Sequence, residues 1–464
     1  MTDLNLDALY AYVDQHEERA LGLLEKFAAQ PSISAQNLGL EEMADLCRRS
    51  MEEYGVPAQL MGTDGGPPVV YGELRGTSDK TLLFYNHYDV QPVDPLELWE
   101  SPPFEPTRRE GKLYARGVAD DKDDIVIRLE AARAWRELHG DLPFTVKFLF
   151  EGEEESGSPH FYSFVERHRE LLRADACMME AGGLRADGRP EVTPGVKGML
   201  NVQLTVRTAR NDAHSAMAAI APSAAWRLLW ALASLKGPDG RVRIEGFYDD
   251  ARELNDLEKA AVRSTPSTEE NVREALGIEA FLDGLTGYAW QERLYNGPTC
   301  NIEGIWSGYT DAGYKTVLPA VASAKLDFRL VPNQRPRDIL EKLRRHLDRH
   351  GFADVRIDEI YGTEGPARTP LDHPFIQFLA EVSGEFAGRP AVIVPNAPGT
   401  APMDAFVEVL KAPTAFTLGG AGYHGSQIHA PNEHIRLGDL AVGIKFTLLL
   451  LARFGALEVN WAGL

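Results

Sequence analysis

The sequence predicts an α/β chain built on a largely parallel sheet, with a smaller α+β domain inserted into it. Three observations carry that expectation. Short apolar runs alternate with a helical stretch over roughly the first 195 residues, the pattern changes to alternating strands after Gly195, and the first rhythm returns from about Pro370.

Taken in order, Leu6 to Ala29 repeats apolar residues at helical spacing and stops before Pro31, which predicts one surface helix. Residues 81–87 (TLLFYNH), 144–152 (FTVKFLFEG) and 174–183 (ADACMMEAGG) are predicted strands, with a helix from Ile125 to His139 closed by Gly140. Residues 200–208 and 322–331 alternate as strands, followed by helices at Ala224–Leu235 and Asp338–His350 and by a strand at Val355–Tyr361. Two such strand-helix units predict a ferredoxin-like α+β domain, with the polar stretch Arg241–Tyr295 as an insertion. A helix through Phe386, a strand at 391–396 and a closing helix at Gly438–Phe454 complete the chain. The expected organisation is one discontinuous domain, residues 1–195 and 370–464, enclosing residues 196–369.

Composition bounds the function. In 464 residues, 48 Lys and Arg stand against 69 Asp and Glu, a net charge of −21, so no nucleic-acid partner is expected. Cys47, Cys177 and Cys300 are far apart and form no paired motif, which argues against a disulfide framework and for a reducing, cytoplasmic setting. The acidic start does not read as a secretory signal, and the longest apolar run, Phe446–Leu451, is too short to span a membrane. No Gly-x-Ser-x-Gly elbow, His-Glu-x-x-His helix or phosphate loop is present.

Working residues of open α/β sheets gather beyond the carboxyl ends of the strands. Glu151-Gly-Glu-Glu-Glu155 puts four carboxylates there, where they repel one another unless cations or solvent absorb the charge. Asp120-Asp-Lys-Asp-Asp124 and Glu180 add more, and His87 and His429 supply imidazoles. That mixture of nitrogen and oxygen donors suits zinc or manganese. Asp89, two residues after His87, is placed to accept its second ring N–H.

Five segments in order, His87-Tyr-Asp-Val-Gln-Pro92, Leu113-Tyr-Ala-Arg-Gly-Val-Ala-Asp-Asp-Lys122, Glu151 to Ser158, Ala213-His-Ser215 and His429-Ala-Pro-Asn-Glu433, resemble the metallopeptidase family of carnosinases, cytosolic nonspecific dipeptidases, carboxypeptidase G, aminoacylases and succinyl-diaminopimelate desuccinylase. The resemblance spans nearly the whole chain. It implies a zinc-exopeptidase-like catalytic domain, an inserted lid and dimerisation domain, and two Zn2+ per subunit, with Mn2+ or Co2+ as substitutes. Asp120 would bridge the ions, one also held by His87 and Glu180, the other by Glu155 and His429, with a non-proline cis peptide between Asp120 and Asp121. Glu154 would be the general base acting on a water between the ions, in preference to its rival Glu153. His214 matches a lid histidine that serves the partner subunit's active site in a homodimer, and Arg329 a lid arginine that holds a substrate carboxylate. Gly399 and Thr400 resemble a substrate-end loop, and Asn301 is a candidate cross-subunit contact.

Two departures bear on this. Asp123 stands where the family usually has glycine, and Glu180 is typical of the carboxypeptidases, aminoacylases and desuccinylase, whereas the dipeptidases carry Asp. The long lid and the His-Tyr-Asp-Val-Gln-Pro phrase point instead to carnosinase-like dipeptidases. The expected function is therefore a metal-dependent exopeptidase acting on dipeptides or short peptides. Its alternatives are a deacylase of N-acyl-amino acids, or of the desuccinylase kind, and a catalytically silent peptide-binding protein.

Overall fold

The apolar runs at residues 81–87 and 144–152 form neighbouring parallel strands, Thr81–His87 and Thr145–Glu151, registered so that His87 lies opposite Glu151. The computed structural model describes residues 5–457, leaving aside the side chains of residues 359–361. It divides into two compact units: residues 5–195, 368–395 and 402–457, and residues 196–367 with 396–401.

In the first unit a six-stranded sheet runs in the order Ala58–Met61, Val69–Leu74, Thr145–Glu151, Thr81–His87, Ala176–Met178, Thr414–Ala415. The last four strands are mutually parallel and only Val69–Leu74 runs against the other five, a mixed, mostly parallel sheet. Phe84, Phe148 and Val146 from the strands meet Ile127 and Leu129 of the helix Lys122–His139 and Leu448 of the helix Leu437–Ala456, all buried in one core. This burial is what fixes the register, since a slip of one residue would turn every core side chain outward. The predicted first helix is interrupted: Leu6–Gln15 ends at His16 and Glu17–Ala28 begins after it. The His16 ring binds the Tyr12 carbonyl at 2.8 Å, a side-chain bond that competes with continuation of the helix.

In the second unit four antiparallel strands are ordered Thr299–Ser307, Val321–Leu330, Gly198–Arg207, Arg356–Glu364. With the helices Ala224–Leu235 and Pro336–Arg349 they give the strand-helix-strand-strand-helix-strand order of a ferredoxin-like fold. Leu200, Val202, Phe328 and Leu343 share its separate core. The stretch read as a polar insertion contains three short helices, Asp256–Ser264, Glu269–Leu276 and Gly287–Asn296. The edge strand Thr299–Ser307 escaped the sequence reading because most of its residues are exposed, which removes the apolar alternation that marks a strand.

Candidate active site

His87 is the last residue of its strand, and Glu180 lies two residues past the end of Ala176–Met178. Asp120 sits in the loop before the helix Lys122–His139, and the Asp120–Asp121 peptide is cis. Gly117 starts that loop at φ +81°, and a Cβ there would collide with Val90, so both conformation and space require glycine.

The loop is held by Glu433, the last residue of the His429-Ala-Pro-Asn-Glu433 segment. Buried Glu433 accepts from the amides of Gly117 and Ala119, both at 2.9 Å, and from Arg116 Nη1 at 2.7 Å. Glu433 is four residues after His429, so one carboxylate ties the Asp120 loop to the His429 loop. His429 itself has φ +62°, a left-handed conformation uncommon outside glycine and held here by its surroundings. Nearby, Asn432 donates to the Leu98 carbonyl at 2.9 Å and accepts from the Glu100 amide at 2.8 Å. The only sign of either role in the sequence is the proximity of these polar residues to His429.

The five predicted metal ligands converge. Asp120 Oδ1 lies 3.1 Å from His87 Nε2, and Asp120 Oδ2 lies 2.9 Å from His429 Nε2. Glu180 Oε2 is 3.4 Å from His87 Nε2, and Glu155 Oε2 is 3.2 Å from His429 Nε2. Gln91 donates to Glu155 at 2.7 Å and orients it. Asp121 also offers an oxygen within 4.8 Å of ligand atoms of His87 and Glu180, although its Oδ2 accepts from the Asn86 amide at 2.7 Å and from the His87 backbone at 3.0 Å. Glu180 Oε2 is buried and, apart from this approach to His87, makes no hydrogen bond among the described residues.

His87 Nδ1 faces the Asp89 backbone oxygen at 3.0 Å, with the carboxylate farther away at 3.5 Å. The two carboxylate oxygens of Asp89 accept from the amides of Glu154 and Glu155, at 3.2 and 3.1 Å. Asp89 therefore sets the glutamate pair as well as the imidazole. Glu153 is engaged elsewhere, with His160 Nδ1 2.6 Å from its Oε1. Asp123, where glycine was expected, accepts from the Ala421 amide at 2.8 Å.

The electrostatics of the cluster call for cations. Burial drives Glu180 up to about 7, reinforced by the charges of Asp120, Asp124 and Glu155. Hydrogen bonds to Asp120 and Glu155 raise His429 to about 10. Burial opposes protonation of His87, but Asp120 and Asp89 outweigh it and hold that imidazole well above its ordinary range. Asp120 falls below the usual carboxylate range because His429 and His87 overcome the cost of its burial. Protons on these groups balance the same negative charge that metal ions would balance. Two imidazole nitrogens and carboxylates, one of them presenting an oxygen to each imidazole, fit a pair of divalent cations.

The second unit carries the remaining candidates. Arg329 donates to Thr400 Oγ1 at 2.8 Å and lies 3.1 Å from Asp327. The Lys197 amide donates to the Gly399 carbonyl at 3.0 Å. Burial and the neighbouring Arg329 lower the Lys197 ammonium to about 8, a cation the sequence reading passed over. His214 ends the two-residue strand Ala213–His214, exposed, with Nδ1 accepting from the Ala216 amide at 3.1 Å. Asn301 is exposed on the edge strand, opposite Asp327 in the ladder.

A mostly parallel sheet that gathers imidazoles and carboxylates at its carboxyl edge fits a metal-dependent hydrolase. Residues 83–453 match the model of peptidase family M20/M25/M40, and the chain belongs to that family, as a metallo-exopeptidase of the dipeptidase or carboxypeptidase kind. The crystal structure of an M20 family metallo-carboxypeptidase, Sso-CP2 from Sulfolobus solfataricus, is 38% identical and superposes with a TM-score of 0.90 over 94% of this chain and 99% of that one. Human carnosine dipeptidase 1 is 25% identical, with a TM-score of 0.81 over 98% of this chain and 100% of the other. The Cys-Gly metallodipeptidase dug1 of Schizosaccharomyces pombe is 28% identical over 361 residues, covering 74% of this chain and 76% of its own.

Proposed function

We propose that the protein hydrolyses the amide bond of dipeptides or short peptides bearing a free carboxylate, using two zinc ions. One would be held by His87, Asp120 and Glu180, the other by Asp120, Glu155 and His429. The observation that carries this reading is the placement of the two Asp120 oxygens, 3.1 Å from one imidazole and 2.9 Å from the other. Relatives named as a Cys-Gly metallodipeptidase, a carnosine dipeptidase and a metallo-carboxypeptidase support the substrate class.

When bound, such ions polarise the scissile carbonyl and lower the pKa of a water by several units. The chain's own residues do the rest. Glu154, fixed through its amide by Asp89 and engaged in neither metal cluster, takes a proton from the attacking water and returns it to the leaving amine. Glu153 is unsuited to that task because His160 holds it. Arg329, with Thr400 and the Gly399 loop beside it, receives the substrate carboxylate through a charge-assisted fork. His214 keeps its Nε2 for the developing oxyanion, since Nδ1 already accepts the Ala216 amide.

We further propose a homodimer. The strand Thr299–Ser307 leaves one edge of its sheet open and exposes Ile302, Ile305 and Trp306, while the helix Ala224–Leu235 exposes Trp226 and Trp230. Open edges and clustered aromatics are features of association surfaces. Light scattering should give twice the chain mass, and an active monomer would exclude a His214 contribution between subunits.

The decisive test is Glu154→Ala in zinc-loaded protein, assayed on dipeptides beside N-acetyl and N-succinyl amino acids. Dipeptide turnover should fall by about 10²-fold or more with zinc retained. Retained turnover removes Glu154 from its role, and wild-type activity confined to the acyl substrates replaces the peptidase reading with a deacylase.

A further inference from the structure

Beside the metal ligands lies a cavity of about 290 Å³ built wholly from the first unit. Three of its lining residues each adjoin a ligand in sequence: Ala119 precedes Asp120, Ala181 follows Glu180, and Ile428 precedes His429. The volume is at the small end of ligand pockets, about 300–1,000 Å³, and suits one side chain better than a whole peptide.

We propose that this cavity receives the side chain of the acyl-side residue of the substrate and selects uncharged, apolar side chains up to aromatic size. The inference rests on the dipeptidase reading, in which Arg329 and Thr400 take the carboxylate of the amine-side residue. The acyl-side residue carries the scissile carbonyl, and the cavity adjoins the ligands that would hold the ions acting on it.

The lining sets the preference. Leu184, Phe416 and Ile428 present apolar surface. Its one pair of opposite charges, Arg185 and Glu191, is matched internally, and Thr193 donates to Glu191 at 3.0 Å. The Tyr423 hydroxyl is within 2.8 Å of His434 Nε2. Apart from the exposed His424 imidazole, the lining offers an ionised side chain no unmatched charge, which makes its entry a costly exchange for water.

The cavity is also held in shape. At the start of the helix Lys122–His139, Asp124 accepts from the amide of Ala181 and Asp123 accepts from that of Ala421 at 2.8 Å. Both carboxylates are buried, so two walls are anchored to one rigid element. Asp123, the departure from the family pattern, thereby gains a positioning role. Behind the walls the backbone is close-packed: a Cβ on Gly183 would strike the Gly422 carbonyl, and one on Gly420 the Ala181 carbonyl. Gly182 differs, because a Cβ there meets no heavy atom within 4 Å. Gly182 lines the cavity, so a side chain at position 182 starts in open space at its wall.

The experiment compares kcat/KM for Ala-Gly, Leu-Gly, Phe-Gly, Glu-Gly and Lys-Gly on zinc-loaded wild type, Gly182→Leu and Leu184→Ala, with thermal melting as a check on folding. Wild type should favour Leu-Gly and Phe-Gly over Ala-Gly by about tenfold or more and place Glu-Gly and Lys-Gly below all three. In Gly182→Leu the Phe-Gly to Ala-Gly ratio should drop at least about tenfold, and in Leu184→Ala the Leu-Gly to Ala-Gly ratio at least about threefold. Should Gly182→Leu not fold, the Leu184→Ala ratio decides alone. Turnover with ratios unchanged in the folded variants, or a wild-type preference for Glu-Gly or Lys-Gly, overturns the pocket while leaving the dipeptidase reading intact. Failure of the wild type to cleave any of the five overturns that reading, and the pocket with it.

Discussion

Replacing Glu433 separates the scaffold of the site from its chemistry. Its carboxylate is fully buried and accepts three hydrogen bonds, at 2.7 Å from Arg116 Nη1 and at 2.9 Å from the amides of Gly117 and Ala119. Glu433→Gln keeps the volume but turns an NH2 toward at least one of these donors, and each buried group left unpaired costs about 1–3 kcal/mol. Glu433→Ala strands the Arg116 guanidinium, 1% exposed, with the Pro92 carbonyl at 3.1 Å as its remaining hydrogen-bond acceptor among the described residues; breaking a buried pair this way costs about 3–5 kcal/mol. Against total stabilities of about 5–15 kcal/mol, that is a large fraction. Burial pushes the Glu433 carboxyl up to about 7, so urea unfolding of chelator-treated protein belongs at pH 8, where it is ionised. The turn that would loosen leads directly into Asp120, so zinc affinity, read by competition with a chromophoric chelator, should also fall about 10–100-fold. Stability of Glu433→Ala within 1 kcal/mol of wild type, together with unchanged zinc affinity, would refute the reasoning.

Three further outcomes are expected. Arg329→Ala should raise KM for dipeptides about tenfold or more and leave the hydrolysis of carboxyl-amidated analogues nearly unchanged; equal losses on both substrates would remove Arg329 from carboxylate binding. Asp89→Ala should weaken zinc binding about 10–100-fold and slow turnover of the zinc-saturated enzyme, because the same side chain orients His87, Glu154 and Glu155; full activity at saturating zinc would contradict it. Burial and the stacked His350 ring, 4.0 Å away, lower His346 to about 4, against about 6.5 in an unfolded chain. The unfolded state takes the proton first, so stability falls as pH drops through about 6.5 toward 4, by up to about 2 kcal/mol at pH 5. His346→Gln should remove that part of the difference between unfolding free energies at pH 8 and pH 5, and an unaltered difference would refute the assignment.

The legible parts of this molecule are those where burial imposes a period or chemistry imposes a motif. The runs at 81–87 and 144–152 read as strands because both faces of those strands are covered, and the residues after them read as a site because carboxylates cannot crowd a strand end without cause. Residue type and context single out the acidic clusters and the histidines, the family resemblance picks His87, Asp120, Glu155, Glu180 and His429 from among them, and the structure brings these five together. What stayed hidden depends on contacts across long sequence separations. Glu433 gains its role from a turn more than three hundred residues earlier, and Lys197 from an arginine on the neighbouring strand. The strand at Thr299–Ser307 carries no apolar alternation because its side chains are mostly exposed. The break at His16 comes from one side chain binding a carbonyl, which periodicity does not register.

Zinc titration of the metal-free protein, read by calorimetry for wild type, His87→Ala, His429→Ala and Asp120→Asn, tests the shared role of Asp120 most directly. Two equivalents should bind to wild type, one strong site should vanish in each histidine variant, and both should weaken at least about tenfold in Asp120→Asn. A single equivalent in wild type, or two undiminished sites in Asp120→Asn, would contradict the bridged pair on which the proposed chemistry depends.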